Sequence, residues 1–400
     1  MHVITGRSAL RLLRAIRTRS YRGREVWLPA VDPLPSADDL SETDTASAEL
    51  PAEESPVTLA DGDFDFDSVV AGKRVDLERF YDLGPFTVDD PLELGVFDLN
   101  KRINLKTTKS RVLSRALPEA ALLRVNRNLY VASPELAVVQ IAETATLMQL
   151  TQVIMELCGT YSPTPHPTAD HPETAKYEIP PVTSLERIST FAVRVRAKVK
   201  ARDLVKRAVA IAREGAASPA ETNLALMLGL PVKQGGYGFG MPQFNARLDA
   251  PEDERPYVTQ AYYQLDLYWE DCKADIEYES TAFHLDPLYG IPSSRLTSDK
   301  VQVWREGCIE RGAHDRTRLR DIQTLGTRVI PVLATDLRDA RSLERIARAL
   351  ARRKAETTGF DDAAYLAGLD TKASRDAHEA LFAELFSPAA EGETSYWGTL

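Results

Sequence analysis

The chain has 400 residues, a hydrophobic share of 44% and a formal net charge of −10, so it is long enough for two or three domains with hydrophobic cores of their own. No stretch approaches the roughly 20 consecutive apolar residues that span a membrane, and the basic N-terminus lacks the apolar segment of a signal peptide. The three cysteines are too far apart in sequence for a zinc motif or a disulfide framework. These features predict a cytoplasmic protein in a reducing compartment.

The first part of the chain combines a short folded segment with an acidic one. Residues 1–30 predict a strand followed by a helix whose N-cap is Ser8. Residues 31–68 contain twelve Asp or Glu and no Lys or Arg, and they are rich in Pro and Ser. Such a composition cannot bury enough apolar surface to fold, so we predict a disordered acidic insertion.

The next part, residues 69–215, predicts an α+β region. Strands are followed by a helix that begins at Ser133 and Pro134 and continues to about residue 157. Helices at the end of this region carry nine Lys or Arg between 187 and 213, against the single acid Asp203. This basic stretch is able to neutralise nucleic-acid phosphates, although a solvated helix surface explains it equally well.

The last part of the chain predicts an α/β domain. Residues 216–354 have the order helix, strands, helix, strand, helix. Residues 355–400 predict one further helix and a loose tail. The fold class predicted for the chain is therefore an α/β C-terminal domain after an α+β N-terminal region.

Acidic residues alternate along a predicted hairpin at 262–284. Asp275, Glu277 and Glu279 are two residues apart, so they share one face of the second strand, and Asp266 lies opposite on the first strand. Crowded carboxylates raise one another's pKa unless a cation is bound, and oxygen ligands suit Mg²⁺ or Mn²⁺. The alternative is a solvated sheet face with no ligand.

Three stretches of the C-terminal part resemble a known superfamily. They are SPAETNLALML, YYQLDLYWEDCKADIEYESTAFH and HDRTRLRDIQTLGTRVIPVL. Over about residues 216–354 they resemble the PD-(D/E)XK nucleases, and most closely the domains similar to very-short-patch-repair endonucleases, whose function is largely unknown. The resemblance rests on an ordered set of residues, namely Glu221, Asp266, Glu277, Glu279, His284, Asp315, Arg318 and Gly326.

This resemblance implies a sheet flanked by helices and the hydrolysis of DNA phosphodiesters. It implies that Asp266 and Glu277 hold Mg²⁺ or Mn²⁺ and that Glu221 completes the ligand set. Glu279 would assist the metal or the attacking water. His284 would act as a proton donor or as a neighbour of the metal, and the alternative is a polar residue with no such role. Glu221 has a second interpretation, because Ser218-Pro219-Ala220-Glu221 is also a capping box at the start of a helix.

Two departures from the family pattern keep a second function open. Ser280 replaces the usual glycine, and Glu279 stands where the superfamily has its lysine. The alternating acidic residues of the predicted hairpin favour a metal-dependent DNA endonuclease acting in repair or phage defence. The missing lysine favours a catalytically silent regulator that binds DNA or a protein partner such as a toxin or a repair protein.

A second resemblance bears on the catalytically silent alternative. The stretch LYVASPELAVVQIA, within residues 92–158, is similar to the antitoxins of abortive-infection toxin–antitoxin systems.

Basic residues are the candidates for nucleic-acid binding. The residues expected to contact DNA are Arg194, Arg196, Lys198, Arg202, Lys206, Arg207, Arg316 and Arg318.

Overall fold

The computed structural model of the protein describes residues 1–18, 66–71, 83, 86–103, 105–118, 120–126, 129–163, 175–279 and 313–386. Most of the predicted disordered insertion at 31–68 lies outside these residues, and only its end, Phe66–Ser68, is described as one turn of 3₁₀ helix. The chain is mixed α/β, and its contacts divide it into an N-terminal unit, residues 1–214, and a C-terminal unit, residues 215–398. Among the described helices, none has the length and apolarity needed to cross a membrane.

The N-terminal unit contains a five-stranded mixed sheet and five helices in its described part. Its strands are β1 (His2–Ile4), β2 (Leu92–Val96), β3 (Thr108–Val112), β4 (Leu122–Asn126) and β5 (Leu129–Ala132), in the spatial order β3-β2-β1-β5-β4. Its helices are α1 (Gly6–Thr18), α2 (Pro134–Ile141), α3 (Leu147–Leu157), α4 (Leu185–Arg194) and α5 (Val199–Ile211). A two-stranded ribbon is formed by β6 (Ser162–Pro163) and β7 (Ala175–Lys176).

The junction of β1 and α1 differs from the prediction at Ser8. The helix begins at Gly6, and Ser8 lies in its first turn, where the Oγ atom accepts the Glu93 N–H at 2.9 Å. Gly6 has φ +56°, and a Cβ atom at this position would overlap the carboxylate of Glu93. The same carboxylate accepts the Arg7 N–H at 3.2 Å, and its negative charge interacts favourably with the positive end of the helix dipole.

A buried ion pair joins α1 to α3 in the N-terminal unit. Arg14 donates from Nε to Glu156 at 2.9 Å and from a terminal nitrogen at 2.6 Å. The side chains are 5% and 0% exposed. Removing one member of such a pair leaves the other charge buried without a partner, which costs more than the intact pair contributes.

Glu156→Ala should therefore lower the free energy of unfolding of the N-terminal unit by about 3 kcal/mol. Urea unfolding followed by circular dichroism measures this loss. The double variant Arg14→Met/Glu156→Leu serves as the control, because it removes both charges and should recover much of the stability. Equal stability of Glu156→Ala and wild type would show that the pair does not hold α1 against α3.

The C-terminal unit contains a four-stranded sheet in its described part. Its strands are β8 (Gln243–Asp249), β9 (Tyr262–Trp269), β10 (Ala274–Glu279) and β11 (Arg328–Leu333), in the order β11-β10-β9-β8. The strand β10 is parallel to β11, and the other neighbours are antiparallel. The helices are α6 (Pro219–Gly229), α7 (described over 313–324), α8 (Ala340–Thr358), α9 (Asp362–Leu369) and α10 (Lys372–Leu385).

The predicted hairpin at 262–284 is confirmed over its described part. Its strands are β9 and β10, and the pairing is Ala274 with Trp269 and Ile276 with Leu267. A short 3₁₀ turn joins them and ends at Lys273, which has φ +47°. Apolar residues of β9 pack with Ile322 of α7 in the core, which fixes α7 against the sheet. This packing brings residues of β9, β10 and α7 together at one place.

Candidate functional site

Glu221 enters the site from the first turn of α6. Ser218 is the N-cap, and its Oγ atom accepts the Glu221 N–H at 3.1 Å and donates to the Glu221 carboxylate at 2.8 Å. The Ala217 N–H donates to the second carboxylate oxygen at 3.0 Å. The Glu221 residue is only 6% exposed. The prediction of Ser218 as the N-cap is therefore confirmed, but Glu221 accepts the N–H of Ala217 rather than that of Ser218, so the capping box is not closed in its usual form. These bonds fix Glu221 beside the other acids of the site.

Asp266 joins the two strands at the point where their regular pairing ends. The regular pairing of β9 and β10 runs as far as Ile276 and Leu267. One residue further along β9, the Asp266 carboxylate accepts the Tyr278 N–H at 3.1 Å. A side chain thus replaces the main-chain acceptor, and this holds the Asp266 carboxylate between the strands.

Asp275 is the deepest acid of the site. Its side chain is fully buried, at 0% exposure, and its Oδ1 atom accepts the Leu267 N–H at 3.2 Å. The other oxygen, Oδ2, is buried and accepts no hydrogen bond from the described residues. Because a buried and unsatisfied carboxylate oxygen is costly, the solvated-face interpretation is wrong for this residue.

Glu277 is paired with an arginine. Arg318 of α7 donates to both Glu277 carboxylate oxygens, at 2.6 and 2.8 Å, and also to the main-chain oxygen of Gln264. Such a bidentate pair fixes the orientation of both groups. Arg318, which the sequence analysis expected to contact DNA, therefore lies within the acid cluster. We use the term acid cluster below for Glu221, Asp266, Asp275 and Glu277.

Burial and mutual repulsion raise the pKa values of three members of the acid cluster. Burial raises the pKa of Asp266 well above its usual range, and the charges of Glu277 and Glu221 raise it further. Burial raises the pKa of Asp275 in the same way, and a hydrogen bond with the Glu277 side chain and the charge of Glu277 raise it further. Burial raises the pKa of Glu221 to about 7 in spite of its hydrogen bonds. Burial lowers the pKa of Arg318, but its bonds to Glu277 outweigh this, and the net shift is upward.

The donor atoms of the acid cluster suit a hard divalent cation. All are carboxylate oxygens, which Mg²⁺ and Mn²⁺ prefer, and the unsatisfied Oδ2 of Asp275 is an acceptor in need of a partner. Within the described ranges, however, no three His, Cys, Asp or Glu side chains are grouped as a ready-made metal site. The residues therefore fit a cation by donor type, and Glu277 would have to exchange Arg318 for it.

Glu279, His284 and Gly326 are further residues of the predicted family pattern. Glu279 is half-buried at the end of β10 and is paired in register with Leu333. His284 and Ser280 lie outside the described residues. Gly326 follows the end of α7 with φ +84°, as expected for a residue that terminates a helix.

The predicted DNA-binding residues of the N-terminal unit are on its surface. Those of α4 and α5 and the segment between them are exposed, namely Arg194, Arg196, Lys198, Arg202, Lys206 and Arg207. In the C-terminal unit Arg316 is exposed as well. Exposure is what phosphate contacts require, and it is equally what a solvated helix surface shows.

Sequence reasoning did not name Asp275 among the candidate metal ligands or catalytic residues, although it placed the residue in the alternating series. The alternation gave the face but not the depth of burial, which comes from packing around β10. The chain was compared with models of protein families, with curated proteins and with solved structures, and no match was found. The resemblance to PD-(D/E)XK nucleases remains a prediction that rests on the residues of this chain.

Proposed function

We propose that the C-terminal unit is a PD-(D/E)XK-like nuclease that hydrolyses DNA phosphodiesters with Mg²⁺ or Mn²⁺. The observation that carries the proposal is the acid cluster, in which the fully buried Asp275 keeps one carboxylate oxygen without a partner. Several buried carboxylates close to one another destabilise a fold unless protons or cations compensate them. A cluster of this kind is therefore better explained by ligand binding than by stability.

A metal would require oxygen atoms of Asp266, Asp275 and Glu277 to move together, with Glu221 next to them, because no three of these side chains are grouped as a metal site within the described residues. When bound, a divalent cation supplies a Lewis acid that polarises the phosphodiester and acidifies water. Mn²⁺ is the more permissive choice, since it tolerates a looser ligand set.

Two residues of the chain can serve the reaction directly. Burial raises the pKa of Glu221 to about 7 in the site without a cation, so this residue holds a proton there near neutral pH and would release it when a divalent cation binds beside it. Glu221 would then act as a general base at a site that lacks the lysine of the superfamily. Arg318 carries the positive charge that would neutralise a phosphate oxygen once Glu277 is engaged elsewhere.

A catalytically silent DNA- or partner-binding regulator of antitoxin type is the second candidate. The bidentate Arg318–Glu277 pair favours it, because this pair already neutralises one acid of the cluster without any cation. The missing lysine favours it too. In that case the acid cluster would be a remnant held together by protons and by Arg318.

Cleavage of labelled DNA by purified protein distinguishes the candidates. We expect slow hydrolysis that depends on Mn²⁺ or Mg²⁺ and that is faster on nicked, mismatched or single-stranded DNA than on intact duplex. Glu277→Gln should reduce the rate by a factor of about 100 or more, because it removes a charged metal ligand. Glu270→Gln is the matched control, since Glu270 is exposed on the neighbouring turn.

Two results would count against a nuclease. Cleavage that persists in Glu277→Gln would come from another site or a contaminant. DNA binding without cleavage of any substrate, with either metal, would favour the silent regulator.

A further inference from the structure

A basic cavity lies in the N-terminal unit, apart from the residues of the acid cluster. It has a volume of about 310 Å³ and is bordered by the edge strand β3. The charged residues that line it are Arg102, Lys109, Arg111, Lys198, Glu93 and Glu143. Four cations and two carboxylates give these six residues a formal charge of +2. We call this the basic pocket.

Both carboxylates of the basic pocket are already engaged. Glu93 contacts Lys109 Nζ at 3.1 Å and caps the first turn of α1 through the Arg7 N–H. Glu143 is bonded to Arg111, and it lies 3.7 Å from Lys198 Nζ. Each carboxylate therefore interacts with several donors at once. The two acids do not neutralise the formal charge of +2 that remains on the basic pocket.

Donors remain available around the basic pocket. Arg102 is exposed and has no ion pair with the described residues. The Nε atom of Arg111 is buried and has no acceptor among them, so it adds to the positive potential of the pocket without being a donor that a ligand can reach. Lys198 is the N-cap residue of α5, and no side chain caps this helix, so its first N–H groups and its positive end add to the local potential.

We propose that the basic pocket binds a dianionic phosphate monoester, such as the 5′-phosphate of a nucleotide or of a nucleic-acid end. A phosphate monoester carries a charge of about −1.5 to −2 at pH 7, which matches the formal charge of the pocket. Arginine binds phosphate oxygens through its planar fork, and lysine adds a mobile point charge. The volume admits the phosphate with part of the attached sugar.

Calorimetric titration of the full-length protein tests this proposal with four probes. These are inorganic phosphate, a nucleoside 5′-monophosphate, and one single-stranded oligonucleotide with and without a 5′-phosphate, all in metal-free buffer so that no cleavage occurs. We expect the monophosphate to bind, and the phosphorylated oligonucleotide to bind more tightly than the unphosphorylated one. Binding should weaken as the pH falls below about 6, where the phosphate loses its second charge.

Two sets of variants should change the affinity for the monophosphate in opposite directions. Arg102→Gln/Lys109→Gln should weaken binding of the monophosphate about tenfold or more, because charge-assisted contacts are lost. Glu143→Gln should tighten it several-fold, since it frees Arg111 and Lys198 from a competing carboxylate. Lys106→Gln and Lys200→Gln are matched controls, because both residues are exposed nearby and do not line the pocket. Melting curves show whether each variant is folded.

The outcomes separate the sources of the phosphate. Binding of the monophosphate alone identifies a free nucleotide as the ligand, and discrimination between the two oligonucleotides identifies a nucleic-acid end; either supports the proposal if the variants behave as expected. No binding of any phosphate probe would overturn it. So would equal binding of the two oligonucleotides that Arg102→Gln/Lys109→Gln leaves unchanged. Because no probe depends on the acid cluster, failure here is distinguishable from failure of the nuclease.

Discussion

In metal-free buffer, the C-terminal unit should be more stable at about pH 5 than at about pH 8, by roughly 3 kcal/mol from Glu221 alone. A carboxyl group with a higher pKa in the folded than in the unfolded state binds its proton more tightly when folded. Its contribution is fully present below the unfolded pKa and is lost as the pH rises through the folded pKa. For Glu221 that window extends from the ordinary value of 4.5 to about 7. Asp266 and Asp275 act in the same direction, because their pKa values are raised as well.

Thermal unfolding at a series of pH values, with a chelator present, measures this dependence. Glu221→Gln removes the titrating group and keeps the shape of the side chain, so the loss of stability between the two pH values should shrink. Glu270→Gln should leave the loss unchanged, since that residue is exposed outside the cluster. If the stability of wild type fell between pH 5 and pH 8 by no more than that of Glu221→Gln, the buried, protonated state of Glu221 would be contradicted.

Arg318→Met should have two effects of opposite sign. Without metal it leaves the largely buried Glu277 with no cationic partner, and the free energy of unfolding should fall by about 2 kcal/mol. With Mn²⁺ the affinity should rise, because Glu277 no longer has to leave an arginine. Saturating Mn²⁺ should then recover most of the lost stability by mass action.

Arg316→Met is the control for this substitution, since it removes an exposed arginine two residues away on α7. It should change neither the stability of the metal-free protein nor the affinity for Mn²⁺ to a comparable extent. Melting curves with and without Mn²⁺ give both quantities. If Arg318→Met were as stable as wild type and bound Mn²⁺ no more tightly, the ion pair would not control access to the acid cluster.

Local patterns in the sequence were sufficient for the hairpin that carries the site. The apolar residues that alternate along β9, such as Tyr263 and Leu265, are buried. Alternation placed Asp275 and Glu277 on one face. It was not able to predict how deeply Asp275 is buried, or that Arg318 would pair with Glu277 from 41 positions away in the chain. Those features depend on how α7 packs against the sheet.

Helix boundaries were less predictable in the N-terminal unit. The sequence predicted one helix from Ser133 to about residue 157, but α2 ends at Ile141 and α3 begins at Leu147. Thr146 caps α3 in a capping box with Gln149. The apolar residues on both sides of this break suit one long helix equally well, so hydrophobic pattern alone did not reveal the cap.

Titration of the wild-type protein and of Asp275→Asn with Mn²⁺, in the absence of DNA, tests the proposed site most directly. Asp275 is the acid whose second oxygen accepts no hydrogen bond from the described residues, and asparagine keeps its size but cannot ionise to bind a cation. We expect wild type to bind Mn²⁺, with a melting temperature that rises with metal concentration. We expect Asp275→Asn to melt at a higher temperature than wild type without metal at a pH high enough to ionise Asp275, and to bind Mn²⁺ about tenfold or more weakly. Equal affinity of the two proteins for Mn²⁺, or no binding by either, would contradict a metal site in the acid cluster.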